Sequence, residues 1–412
     1  MRHLLVIFLV LLSITGAQSR TIVADAKGKL SIQNALAQAA FGDTIRVMPG
    51  LYREGNIIIH KPVTIIGIGF PVLDAESKFE IFTIAADDVT ITGLKMINTG
   101  VASINDISAI NAIESRRIKV LNNYFENTFF GIHLANCRGS LIEGNTLISN
   151  AEAEHQIGNG IHAWKCDSII IRNNKVSGHR DGIYFEFVTN SRVEGNYSHH
   201  NMRYGLHFMF SHHDQYHNNI FQNNGAGVAV MYTKFVTMKG NRFEDNWGAS
   251  SYGLLLKDIG DSYIEGNHFS KNTVGVYMEG TSRCTFNQNI FEKNGWAVKV
   301  QANCDENVFK QNNFLSNTFD IATNGSLVLN TVDLNYWDNY QGYDLDKDGV
   351  GDVPYHPVSL YSMVVEKMPS SVMLWRSFLV YLLDRTEKVV PSMTPENLKD
   401  INPRMKSYDR SF

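Results

Sequence analysis

The chain lacks a charge excess of either sign. Formal net charge is −4, charged residues make up 19% of its 412, and no run of like charge occurs. Nothing therefore draws it to nucleic acid. Cysteine is scarce: Cys137, Cys166, Cys284 and Cys304 are the whole set. None forms a Cys-x-x-Cys pair, so zinc-ribbon and thioredoxin-type readings are weak. Helical periodicity is missing between residues 60 and 330, which excludes crossover helices and an ordinary α/β domain there. Two apolar runs, residues 4–12 and 372–383, are both shorter than the ~20 residues that span a bilayer as a helix.

The first run has an export context. Met1-Arg2-His3 is basic, residues 4–12 are apolar, and Thr15-Gly16-Ala17 ends in a small residue. These are the three regions of a secretory signal peptide, with cleavage expected after Ala17. The chain is expected to work in a periplasm, where its cysteines can oxidise.

What fills the sequence is a repeat. A Gly or Asn, then Asn, then usually an apolar residue two places on, recurs with central asparagines Asn123, Asn145, Asn174, Asn196, Asn219, Asn241, Asn267, Asn289 and Asn312, at gaps of 22, 29, 22, 23, 22, 26, 22 and 23. Five residues later a second asparagine follows in most units, at Asn150, Asn201, Asn224, Asn246, Asn272, Asn294 and Asn317. Then comes a Gly-led alternating run such as Gly205-Leu206-His207-Phe208. Short β-forming runs at a fixed period mean a solenoid in which each coil pairs with the next. The fold expected is all-β: a right-handed parallel β-helix of about 22-residue coils, with asparagine at the corners, where left-handed backbone is tolerated. The longer gaps place insertions at residues 151–158 and 249–252.

Strand edges at both ends need covers. Residues 31–40 read as an amphipathic capping helix with Ser31 as N-cap. The organisation expected is a signal peptide (1–17), the β-helix (18–335), an acidic loop and C-terminal cap (336–368), and a helical tail (369–412).

The opening Ile32-Gln33-Asn34-Ala35 and Gly42-Asp43-Thr44-Ile45, with the Asn/Gly coils, resemble the pectin-lyase-like β-helix superfamily of sugar-binding and sugar-cleaving domains. Three stretches are more specific. They are residues 204–210 (YGLHFMF), residues 227–232 (GVAVMY) through 253–259 (GLLLKDI), and Asn335-Tyr336-Trp337-Asp338 with residues 349–355 (GVGDVPY). These resemble the NosD family over essentially the whole mature chain. The resemblance implies a periplasmic accessory protein that docks on an ABC transporter, its permease and ATPase. It would help assemble the copper centres of nitrous oxide reductase, with a copper chaperone among its partners, and would not itself be a catalyst.

Strand parity then selects candidate sites. Apolar residues at the first and third positions after each Gly point into the coil. The second and fourth face outward: His133, His162, Tyr184, His207, Ala229, Leu255 and Tyr277 in one column, and Ala135, Trp164, Glu186, Met209, Met231, Lys257 and Glu279 in the other. Met209 should lie over Met231, with His207 beside them and His162 two coils away. Thioethers with imidazole suit a transient Cu+; an exposed apolar patch for a partner is the competing reading. Cys137 and Cys166 each fall six residues after their Gly, within disulfide reach if the coils stack, although stacked buried thiols fit equally. Cys284 and Cys304 could pair similarly.

Asp344, Asp346, Asp348, Gly349 and Asp352 follow the first nine positions of a calcium loop, but Tyr355 stands where a bidentate Glu is expected. A structural Ca2+ or similar hard cation is the expectation. Residues 372–383 read as one helix in the membrane interface or against a membrane partner, with Trp375, Phe378, Leu379 and Leu382 as docking residues; a cap on the solenoid is the alternative. A carbohydrate-active enzyme would need clustered outward carboxylates. Asp181, Asp214 and Asp258 fall on different strands or corners, and Ser211-His212-His213-Asp214 is the nearest approach to a catalytic cluster. An enzyme of that kind, or a scaffold that never touches metal, are the other readings.

Overall fold

The structure, a computed structural model, describes residues 19–28, 30–102, 106–151, 153–325, 329–389 and 398–409. The signal-peptide expectation for residues 1–17 lies outside the described residues.

Short alternating runs build three parallel sheets of 14, 12 and 13 strands. One coil supplies one strand to each, as with Arg192–Glu194, Tyr197–His199 and Tyr204–Met209. The next coil repeats the set in register: Val193 meets Tyr216, Ser198 meets Phe221, and Leu206 meets Val228. This is the parallel β-helix that the repeat predicts. Inward residues stack along the axis; Phe221, Phe243, Phe269, Phe291, Phe314 and Trp337 form one column with ring centroids 4.1–5.6 Å apart.

The recurring asparagines are buried and bonded into a ladder. From Asn145 to Asn335, each side-chain carbonyl accepts the main-chain N–H and the side-chain amide of the asparagine one coil before it, at 2.9–3.2 Å, the first donor being Asn123. The amide also donates to a main-chain carbonyl, as Asn196 Nδ2 does to Ile171 at 2.9 Å. Buried polar groups at a corner are thus fully used. The left-handed residue is the one ahead of the laddered asparagine, such as Asn173 (φ 55°) or Gly195 (φ 61°). The second asparagine column runs from Asn201 through Asn317. Asn150 is not part of it. It opens the insertion at 151–158 and is exposed. The Gly-led column is required where it stands, because a Cβ on Gly205 would sit 2.8 Å from both Asn224 Nδ2 and the Gly227 carbonyl.

The N-terminal cap is a helix over Ile32–Gln38, with the Ser31 hydroxyl accepting from the Asn34 N–H at 3.2 Å. All four cysteines are buried and free, so the Cys137–Cys166 disulfide is not formed. The thiols instead donate to main-chain carbonyls, Cys137 to Ala112 at 3.4 Å and Cys166 to Leu134 at 3.5 Å. Cys284 and Cys304 do not share a column: Cys284 stacks under Asn307, and Cys304 over Thr281.

The C-terminus departs from the expected tail. Residues 372–383 are not one helix. A 3-10 turn over Pro369–Leu374 is followed by a helix over Phe378–Val389, and Arg376 between them is left-handed (φ 67°). Residues 398–409 then return to the solenoid. Asp400 bridges to Val332 and Arg404 to Tyr336, and the Asp400 carboxylate accepts from Asn335 N–H at 2.9 Å and Trp337 Nε1 at 3.0 Å, ending the asparagine ladder. Among the described residues, no helix is long and apolar enough to cross a membrane.

Candidate functional site

The 12-stranded sheet carries both outward columns. Its register places Met209 against Met231, and stacks His133, His162, Tyr184 and His207 one coil above another. Neighbouring rings in that stack are 4.8–4.9 Å apart. The order matches the expectation, but the exposure does not: His162 and His207 retain only 8% and 5% of their accessible surface. Aromatic residues at the strand starts cover them, Phe130 at 5.7 Å from His162 and Tyr204 at 4.8 Å from His207. His207 Nδ1 lies 3.6 Å from the buried Asp181 carboxylate, and both its ring nitrogens lack a hydrogen-bond partner.

Met209 and Met231 are partly exposed. The Tyr184 hydroxyl donates to Met209 Sδ at 3.4 Å. Glu186 and Lys257 flank the pair in the same column, so the thioethers sit on a rigid strand face between one acid and one base. His207 shares the face of Met209, two residues away on one strand. His162 does not join them; it packs against His133 instead.

One feature beside the methionines escaped the reading of strand columns. Phe187, Phe210 and Tyr232 occupy the next position, where the chain turns, and all three are left-handed at φ 54°, 50° and 55°. Their rings stack at 5.2 and 4.9 Å, within 12° of parallel, and stay 43%, 36% and 39% exposed. The same corner is left-handed in every coil from Glu114 through Asp258 (φ 49–55°), so the conformation belongs to the fold; what sets these three coils apart is the exposed aromatic stack that they carry there. Their spacing of 23 and 22 residues equals the coil period, which is the signal that could have found them. His213 and Phe235 form a parallel stack at 4.9 Å on the same turn.

The carboxylates that a sugar-cleaving enzyme would need do not converge. Asp214 is fully buried. It accepts from the Ser191 N–H at 2.8 Å in a column that elsewhere holds Ser, Cys and Asn together with Ile169 and Val236, and burial pushes it up to about 8. Asp181 is buried beside Arg203 and His207, and Asp258 is a left-handed corner residue (φ 51°).

In the acidic loop, oxygens of Asp344, Asp346 and Asp348 lie within 4.8 Å of one another. Gly349 is left-handed at φ 85°, as the sixth position of a calcium loop requires. Asp352 stands outside the group of three; its carboxylate accepts from the Leu345 N–H at 2.7 Å and closes the loop.

Of the docking residues, Phe378, Leu379 and Leu382 are 77%, 51% and 49% exposed. Trp375 is partly packed, 5.3 Å from Phe319 and stacked on Tyr361 at 5.8 Å. It lines a cavity of about 690 Å3 with Asp320, Tyr340 and Tyr355. The segment is therefore both cap and exposed apolar surface: Tyr361, Val365 and Val380 bury against Phe319, while the opposite side is open.

Comparisons with known proteins bear on the sequence and the fold. The family model described as periplasmic copper-binding protein (NosD) matches residues 150–343. A protein of Stutzerimonas stutzeri named "Probable ABC transporter binding protein NosD" is 27% identical over 385 residues, covering 88% of this chain and 86% of that one. One of the same name from Pseudomonas aeruginosa is 26% identical, covering 85% and 86%. Among solved structures, the A-module of the mannuronan C-5 epimerase AlgE6 of Azotobacter vinelandii covers 74% of this chain and 88% of its own, at 13% identity and a TM-score of 0.53. The catalytic unit of a GH87 α-1,3-glucanase of Streptomyces thermodiastaticus covers 74% and 65%, at 15% identity and 0.59. PfbA, a surface adhesin of Streptococcus pneumoniae, covers 78% and 92%, at 11% identity and 0.56. Enzymes and an adhesin share the β-helix, so those likenesses carry the fold alone. By sequence, and over most of its length, this chain is similar to the NosD proteins.

Proposed function

We propose that this chain is a periplasmic accessory protein that works with an ABC transporter to assemble or supply the copper centres of nitrous oxide reductase, and is not itself an enzyme. The observation that carries the reading is the Met209–Met231 pair, in register on a partly exposed strand face, inside the segment matched by a copper-binding family model. Stacked thioethers are soft ligands that hold Cu+ weakly enough to release it. His207 supplies an imidazole on the same face. The adjoining Phe187–Phe210–Tyr232 stack gives a delivering chaperone or a receiving reductase an apolar surface to seat on. The permease and its ATPase are engaged elsewhere, through the exposed side of the Phe378–Val389 helix; contact with the membrane is through that helix and indirect. The acidic loop takes Ca2+ or a similar hard cation in a structural role. Asp181, Asp214 and Asp258, apart from one another and with Asp181 and Asp214 interior, leave no carboxylate pair to act on a sugar.

The test is the double variant Met209→Leu, Met231→Leu. Leucine keeps the apolar volume and removes both sulfurs. Copper loading of the reductase, and Cu+ retention by the purified chain against a Cu+ chelator, should both fall, with transporter binding unchanged. Normal maturation of the reductase by the double variant would sink the copper role of this face and leave only partner docking.

A further inference from the structure

We infer that Asp106, His133 and His162 form a binding site for a divalent transition metal, Cu2+ ahead of Zn2+, distinct from the methionine pair. Each offers one ligand atom, and the three atoms lie within 4.8 Å of one another. Metal–nitrogen bonds of ~2.0–2.1 Å set ligand atoms on one ion roughly 3–4 Å apart, so side-chain rotation suffices to close the set. The two histidines are register partners on adjacent coils, with ring centroids 4.9 Å apart and planes inclined by 32°. The rigid sheet thus presents both imidazoles from neighbouring strands, and Asp106 reaches them from the segment that precedes the Ser108–Ile113 strand.

The orphaned nitrogens make this more than a chance grouping. His162 is 92% buried, by its 8% residual exposure, yet neither Nδ1 nor Nε2 has a hydrogen-bond partner among the described residues. His133 Nδ1 is likewise unpartnered. Buried polar nitrogens are almost always satisfied, and the exceptions call for an unseen water or ion. One coil below in the same column stands Asn111, whose buried Oδ1 also lacks a partner. Three unpartnered lone-pair groups thus follow one another along one column. Asp106 is exposed and His133 partly exposed, so an ion has a way in past them while His162 forms the floor. Burial holds both imidazoles below their ordinary range, and for His162 the neighbouring His133 and Arg180 add to this. At His133 the Asp106 carboxylate acts the other way, favouring positive charge beside that ring.

The donor set chooses the metal. Two imidazoles and a carboxylate are borderline to hard donors. They suit divalent ions, for which affinity rises to Cu2+ and falls again at Zn2+, whereas Cu+ prefers the thioethers of Met209 and Met231. His162 stands two coils from His207, so the sites can be loaded separately. The inference does not depend on the copper-supply reading and adds a second, divalent site to it.

The test uses the tag-free, full-length mature chain, stripped with chelator and titrated with Cu2+ and separately with Zn2+ against a competing chelator, with electron paramagnetic resonance on the Cu2+ form. The parent should take up one Cu2+ per chain with a two-nitrogen signature. Asp106→Asn, on an exposed side chain, and His133→Ala, which removes a partly buried ring packed on Phe130 and His162 and so needs its fold checked by circular dichroism, should each weaken Cu2+ by about tenfold or more, and His162→Gln should remove the signature. Met209→Leu with Met231→Leu should leave the Cu2+ spectrum and affinity unchanged while losing Cu+, which separates failure here from failure of the copper-supply reading. A parent that binds neither ion, or a folded His133→Ala variant with parental affinity and spectrum, would overturn the site.

Discussion

At the scale of single residues, the asparagine ladder explains why so polar an interior is stable. Each buried amide both donates and accepts, and the spacing of these residues in the sequence is what made the fold legible. Burial behind the second-position column was not legible, because alternation tells in from out but not what folds over the outside, as Phe130 and Tyr204 do here. Asp214 is where the interior is strained. Its carboxyl, pushed up to about 8 by burial, keeps a proton that the unfolded chain has already released at about pH 4. The folded state binds more protons between those values, so stability is highest in acid and declines as pH rises towards 8. Asp214→Asn removes the titration. Its amide can donate to the Val188 carbonyl as Asn307 Nδ2 donates to Thr281 at 2.8 Å one column position away from Cys284. We expect the variant to be more stable than the parent by on the order of 5 kcal/mol near pH 8, with the gain vanishing near pH 4. Thermal melts across that range check it; a pH-independent difference would mean that the parental carboxyl is not neutral in the fold.

At the scale of elements, the capping helix was read almost to the residue because Ser31 and the apolar spacing act locally. The C-terminal apolar run was misread for the opposite reason. Trp375 stacks on Tyr361 and meets Phe319 edge-on, and that tertiary anchor outweighs helix continuity, turning the chain at Arg376. The acidic loop lies between these cases. Its Gly349 adopts the backbone that the motif requires, while Asp352 serves as a loop-closing acceptor. Three carboxylates so close repel one another: Asp348 raises the Asp346 carboxyl, against the lowering by the Asp348 N–H bond to it. A hard cation would relieve that repulsion. Ca2+ should therefore raise the melting temperature of the parent, and Asp346→Ala with Asp348→Ala should abolish the Ca2+ increment while leaving the metal-free melt nearly unchanged. If chelation fails to move the parental melt, the loop is an acidic turn and no more.

At the scale of the molecule, a stack of coils is only as sound as its ends, because each coil is held by its neighbours and the terminal ones have a neighbour on one side alone. The chain leaves the last coil, runs through the segment at Leu360–Lys367 and the Phe378–Val389 helix, and comes back to place Asp400 over it. Docking surface and cap are thus interleaved in sequence, which the reading of 369–412 as a single tail did not capture, since the contacts of the return, Asp400 and Arg404 on the last coil and Tyr408 on Asn313, follow no repeat that would announce them. Cutting the chain at residue 370 would remove both functions together and could not tell them apart. Two point variants can. Phe378→Ser with Leu382→Ser changes side chains that are mostly solvent-facing, so the melt should stay within about 0.5 kcal/mol of the parent while co-purification with the permease is lost. Asp400→Ala instead orphans the Asn335 N–H and Trp337 Nε1, both buried donors whose loss of partner costs ~1–3 kcal/mol each, along with the partly buried Leu334 N–H, and it bares the ladder's end to water. Because coupling in a solenoid runs from neighbour to neighbour, the damage should be graded: amide protection should fall first around Thr331–Asp333 and Tyr336–Trp337, less in the coil of Asn289, and not at all in that of Asn123. Uniform loss of protection along the axis would show that the β-helix unfolds as one cooperative block and that Asp400 is not its local lid.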